Sequence, residues 1–219
     1  MSTQTLSRYE IIEAMPADST LVLHGRSWDE YEEVLKAVGE NRGLRISYSE
    51  GTLQIITLSQ EHEKYSDLIQ DIVRLVSLRL RIRVLSFGST TMKKQRKQKG
   101  LEPDYCFYVQ TAQEIASKKH IDFNVDPPPD VAVEIDIHHD SLSKFSIYAA
   151  LGVPEIWRYD ERSLIIYHLV QGEYREALTS LALPMLTAEL LSKFLARGRQ
   201  GDQYQTLLAF EEWLNSQPV

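Results

Sequence analysis

The residues from Asp130 to Ile137 constrain the fold more than any other stretch of the chain: Val131, Val133, Ile135 and Ile137 alternate with Asp130, Ala132, Glu134 and Asp136. A strict period of two is the pattern of a β-strand. The preceding Pro127-Pro128-Pro129 keeps a helix from running into it. One face of the strand is purely apolar and belongs in a core. The other carries Glu134 and Asp136 about 7 Å apart at Cα, and these carboxylates must be solvated, paired or bound to a metal ion.

The rest of the chain supplies a mixed α and β frame. Leu21 to His24 reads as a short strand, and Ser27 with Glu30 three residues on has the spacing of a capping box opening a helix to Val38. Leu44 to Tyr48 and Leu53 to Thr57 flank Ser49-Glu50-Gly51-Thr52, which predicts an N-terminal antiparallel hairpin. From Gln60 to Leu80 the residues Tyr65, Leu68, Ile69, Ile72, Val73, Val76 and Leu80 recur at three and four, the mark of a long amphipathic helix. Val84 to Met92 reads as a strand, then a basic loop closed by Gly100, then a strand from Glu102 to Val109 and a short helix at 112–117. Asp140 or Ser141 caps a helix to Leu151 that Gly152 and Pro154 stop. Strands at 155–159, 164–169 and 173–177 and a helical C-terminus complete the pattern.

With 219 residues and 43% hydrophobic content the chain suits one domain, 1–219, without disulfides. Its lone cysteine, Cys106, sits in an apolar run and argues for a reducing compartment. No stretch approaches the roughly 18 apolar residues of a membrane span, and Met1 to Arg8 is polar, so a cytoplasmic location is expected. The balance of 24 Lys plus Arg against 31 Asp plus Glu gives a net charge of −7, which does not suit a polyanion ligand overall. A local strip of Lys93, Lys94, Arg96, Lys97 and Lys99 is either a nucleic-acid track or a solvated loop.

The chemistry concentrates on few residues. Asp104 follows Pro103 at the head of the run Tyr105 to Val109, a carboxylate entering the interior. If its strand neighbours that of Glu134, the two acids can share Mg²⁺ or Mn²⁺, hard ions that take a few carboxylate oxygens and keep several waters. Such a centre suits phosphodiester hydrolysis. Asp136 is an accessory acid, and Lys144, in the first helical turn after the strand, can reach back to orient a water or stabilise phosphate charge. Glu61 or Glu63 either adds a metal ligand or serves the helix dipole. His62 reads as a packing histidine. His138-His139 lacks the second cluster that a zinc site requires.

The runs Pro127 to Asp136, Ser141-Leu142-Ser143-Lys144, Tyr148-Ala149 and Gly152-Val153-Pro154-Glu155-Ile156-Trp157-Arg158-Tyr159, with Glu61-His62-Glu63 and Glu102-Pro103-Asp104 ahead of them, resemble the Uma-two family of restriction-endonuclease-like proteins, abundant in cyanobacteria. The resemblance spans about residues 20–195, leaving 1–19 as an N-terminal extension and 196–219 as a C-terminal helical one. It implies the PD-(D/E)XK fold, an α/β (mixed α+β) core with a central mixed sheet flanked by helices, and Mg²⁺-dependent cleavage of DNA. In that pattern Asp104 is the motif aspartate and Glu134 the motif acid. Asp136 stands where the general pattern has lysine, so Lys144 is the migrated lysine, or Asp136 is a third ligand, or turnover is lost. The leading expectation is a DNA endonuclease, and the two-fold logic of cutting two antiparallel strands suggests a homodimer. The alternatives are an inactive binding or regulatory module of the same fold and a hydrolase of smaller phosphoesters.

Overall fold

A computed structural model describes residues 12, 14–39, 43–137 and 140–218. Two sheets organise it. The first is five-stranded, antiparallel and N-terminal, built from β1 (Thr20–Leu23), β2 (Leu44–Ser49), β3 (Thr52–Thr57), β5 (Met92–Lys94) and β6 (Lys99–Leu101) in the order β1-β3-β2-β6-β5. The β2–β3 hairpin turns at Glu50-Gly51, both with positive φ (48° and 92°), a geometry that follows the twist of the strands and that glycine adopts without strain. Helix α1 (Trp28–Val38) carries the capping box read from the sequence: Ser27 Oγ accepts from Glu30 N at 3.2 Å and Glu30 Oε2 accepts from Ser27 N at 2.9 Å. Under it Trp28, Tyr31 and Tyr48 pack edge and face, with Leu53 and Ile55 beneath.

The second sheet is six-stranded and mixed. It comprises β4 (Leu85–Gly88), β7 (Tyr105–Tyr108), β8 (Val131–Ile135), β9 (Glu155–Tyr159), β10 (Leu164–Val170) and β11 (Glu173–Ala177) in the order β11-β10-β9-β8-β7-β4. Only β8 and β9 run parallel, joined by the crossover helix α4 (Phe145–Leu151). One face is covered by α2 (Gln60–Leu80), α5 (Ala188–Gln200) and α6 (Gln203–Ser216), whose Ile69, Phe194 and Phe210 meet Val131, Val133 and Trp157 in the main core. Residues read as a C-terminal extension therefore close the core, through Phe210 and Leu214. The other face packs Ala132 and Ile156 under α4 and the β5–β6 hairpin, with Tyr148, Met92 and Leu101. A one-turn helix, α3 (Ala112–Ile115), follows β7.

Three expectations are corrected. The stretch 84–92 is not one strand: β4 carries a register shift between Ser86 and Gly88 and stops at Gly88, and the chain passes to β5 of the other sheet. The basic segment is not an open loop but the β5–β6 hairpin, turned by a 3₁₀ segment at Gln95–Lys97. Likewise 102–109 is not continuous strand, because Pro103 cannot donate to a ladder and Glu102 to Asp104 cross between the sheets. That crossing delivers Asp104 to the end of β7.

Candidate active site

The β7–β8 register pairs Tyr105 with Val133, so one step further sets Asp104 opposite Glu134, and Asp104 N extends the ladder to Val133 O at 3.1 Å. Both acids are buried, and both line one narrow cleft with a cavity volume of about 20 Å³, together with Arg45, His62, Asp136 and Lys144. Asp18 and Asp140 also border that cleft.

Asp104 is held from three elements. Its Oδ1 accepts from Arg45 Nε at 2.9 Å; its Oδ2 accepts from Ile135 N at 2.8 Å and lies 3.0 Å from His62 Nε2. Burial pushes its pKa up, but His62, Arg45 and Lys144 outweigh burial and hold the carboxyl well below its ordinary range. Glu134 is held differently. Its Oε2 accepts from Lys144 Nζ at 2.7 Å and its Oε1 from the Tyr148 hydroxyl. Here burial dominates and the neighbouring Asp104 adds to it, so Glu134 is pushed up to about 7 in spite of Lys144 and Tyr148. Two adjacent acids with opposite shifts are a recurring property of working carboxylate pairs.

Lys144 ends a 3₁₀ turn, Leu142–Lys144, and is itself buried. Burial alone would lower its pKa, but Glu134, Asp104 and Asp136 raise it, so the ammonium persists. Asp136 turns to a different set of partners: its Oδ2 accepts from Ser141 N and Ser141 Oγ, each at 3.0 Å, and from Arg158 Nε. Burial raises its pKa against those bonds.

The other expected residues are dispersed. Glu61 is exposed and borders a separate cleft with Lys64, Tyr65, Arg199 and Asp202, so the fold does not bring it to Asp104 and Glu134. Its place on α2 turns it the other way, because residues 61 and 62 lie 100° apart around a helix. Glu63 Oε1 stands 3.7 Å from Arg45 Nη2, beside the site rather than in it. His62 is a packing histidine only in part, since one ring nitrogen serves Asp104 and the other, Nδ1, is buried with no hydrogen-bond partner among the described residues. The pair His138-His139 lies outside the described residues, as does Met1 to Arg8. Of the basic strip, Lys93 pairs with Glu32, Lys99 with Glu50, and Lys94 and Lys97 donate to the Leu151 and Ala150 carbonyls at the end of α4. Arg96 stands exposed.

Sequence reading passed over Arg45, Tyr148 and Arg158 as site residues. Each had a signal: Arg45 and Arg158 interrupt apolar strands, and Tyr148 lies four residues after Lys144, on the same helical face.

The donor set suits a hard divalent ion. Asp104 Oδ1 and both oxygens of Glu134 each accept one hydrogen bond and keep a second lone pair, and a cation beside two juxtaposed acids relieves the repulsion that raises Glu134. Among the described residues no three His, Cys, Asp or Glu side chains converge as a metal cluster, so the fit is to an ion that uses two carboxylates and completes its shell with water.

A crystal structure titled as that of "a putative nuclease belonging to DUF820 from Anabaena variabilis ATCC 29413" matches with a TM-score of 0.53 at 20% identity, covering 75% of this chain and 98% of that one, which establishes a shared fold. No curated protein sequence matches. The model of the Uma2 family, described as "Putative restriction endonuclease", matches residues 28–197, a span that includes every strand but β1 together with Asp104, Glu134 and Lys144. By that match the chain belongs to the Uma2 family.

Proposed function

We propose that the chain is a metal-dependent nuclease that hydrolyses phosphodiester bonds in DNA, with Mg²⁺ or Mn²⁺ held by Asp104 and Glu134. The observation that carries this reading is the placement of these two acids side by side at the ends of β7 and β8, in one cleft, with Lys144 Nζ 2.7 Å from Glu134. When bound, the ion would stabilise charge on the phosphate and lower the pKa of an attacking water. The protein's own groups supply the rest. Arg45 and His62 fix the Asp104 carboxylate in its ionised form. Tyr148 fixes one oxygen of Glu134, and Lys144 leaves a buried positive charge where a phosphate oxygen would develop negative charge. The family description favours a nuclease over a hydrolase of small phosphoesters.

The second reading is a binding or regulatory module without turnover. What favours it is the internal balance of the site: Arg45 and Lys144 already neutralise the two acids, and four of the five cations of the basic strip are engaged within the chain. Plasmid cleavage with Mg²⁺ or Mn²⁺ separates the two. The parent is expected to nick, and Asp104→Ala, Glu134→Ala and Lys144→Ala are expected to lose it. Equal nicking by all four proteins indicates a contaminant, and no cleavage with either metal leaves the binding module.

A further inference from the structure

We propose that Asp136 is a positioning residue, a latch that holds the turn 141–144 where it returns Lys144 to Glu134. A buried lysine near the N-terminal end of a helix needs such a device. Its charge opposes the helix dipole there, and a lysine side chain left to itself seeks water. Yet Lys144 is buried and its ammonium lies on a carboxylate ten residues back in the chain.

The device is visible in the bonding. Asp136 leaves β8 two residues after Glu134, and its own N–H donates to Tyr159 O at 2.7 Å, which ties it to β9. Its Oδ2 then gathers three donors: the backbone N–H and the hydroxyl of Ser141, and Nε of Arg158 from β9. Ser141 starts the 3₁₀ turn, because its carbonyl accepts from Lys144 N at 2.8 Å. The head of the turn that carries Lys144 is thus tied to one carboxylate oxygen, and that oxygen is anchored to the strand next to Glu134. Arg158 also reaches Asp140 at 3.6 Å, a second, looser tie to the same segment. Asp136 accordingly acts through Lys144 and does not itself contact a reacting group.

The test reads the lysine directly. Lysine acetylation of the intact, folded protein is followed by mass spectrometry, with the exposed Lys119 as internal standard. In the parent Lys144 should label far more slowly than Lys119. Asp136→Ala should bring its rate toward that of Lys119 with the other lysines unchanged, and Asp136→Asn, which keeps an acceptor oxygen but loses the charge toward Arg158, should fall between. If Asp136→Ala does not fold, Ser141→Ala removes a single donor and should give a smaller rise at Lys144 alone. An unchanged Lys144 rate in the folded variants, or a rise shared by all lysines, overturns the latch. If the parent cleaves plasmid, kcat should drop about 10- to 100-fold in Asp136→Ala with KM retained, the size seen when an orienting partner is lost. If it does not cleave, the labelling result still decides the latch, so the nuclease reading can fail without it.

Discussion

His62 Nε2 lies 3.0 Å from Asp104 Oδ2, in a ring whose Nδ1 is buried with no hydrogen-bond partner among the described residues. The contact requires the proton on Nε2, so the histidine orients the carboxylate as a donor. His62→Ala should cost about 1.5–3 kcal/mol, the usual worth of a hydrogen bond to a charged group. His62→Gln, which can place an amide N–H where Nε2 stood, should cost less. Urea unfolding compares them, and equal losses would assign the effect to packing of the ring.

The depressed pKa of Asp104 makes it a source of stability at neutral pH. For an acid whose folded value lies below the ordinary 3.8, the contribution is present above that value and is lost as pH falls through the folded one. Asp104→Asn should therefore be less stable than the parent by about 3–5 kcal/mol at pH 7, the cost of removing one charge of a buried ion pair. The gap should hold down to pH of about 4 and close below it. Denaturation series at pH 7, 4.5 and 2.5 check this, and a gap that already closes between pH 7 and 4.5 would place the titration on another group.

Cys106 is buried and its thiol is pushed up to about 12 by burial, so almost no thiolate exists at physiological pH. Iodoacetamide at pH 8 should leave the native protein unmodified and label it once upon denaturation. Rapid labelling of the folded protein would contradict the packing around β7.

The cations of the β5–β6 hairpin divide into two groups. Lys94 and Lys97 donate to carbonyls at the end of α4, where positive charge also meets the negative end of the helix dipole. Alanine at either site should lower stability by about 0.3–1 kcal/mol and leave the salt dependence of DNA binding unchanged. Arg96→Ala should do the reverse, reducing the salt slope by about one. Titrations of a duplex at several salt concentrations, beside thermal melts, distinguish the two. A lower salt slope for Lys97→Ala would return the whole hairpin to the role of a DNA track.

Local order was written in the chain. The capping box at Ser27, the turn at Glu50-Gly51, the helix Gln60–Leu80 and the stop at Gly152 depend on neighbours within a few residues, and all stand as their sequence signals indicate. The alternation around Glu134 likewise dictated a strand with acids on it. Only tertiary structure decided what those acids meet. Arg45 comes from another sheet, His62 from a helix on the far side of the main core, and Arg158 from a strand joined by a crossover, so their contacts depend on strand order rather than on spacing along the chain. The same long-range pairing divided 84–92 between two sheets and turned the basic strip back on its own helix, because hydrogen bonds between distant strands and helix ends outweigh the local preference of a lysine for water.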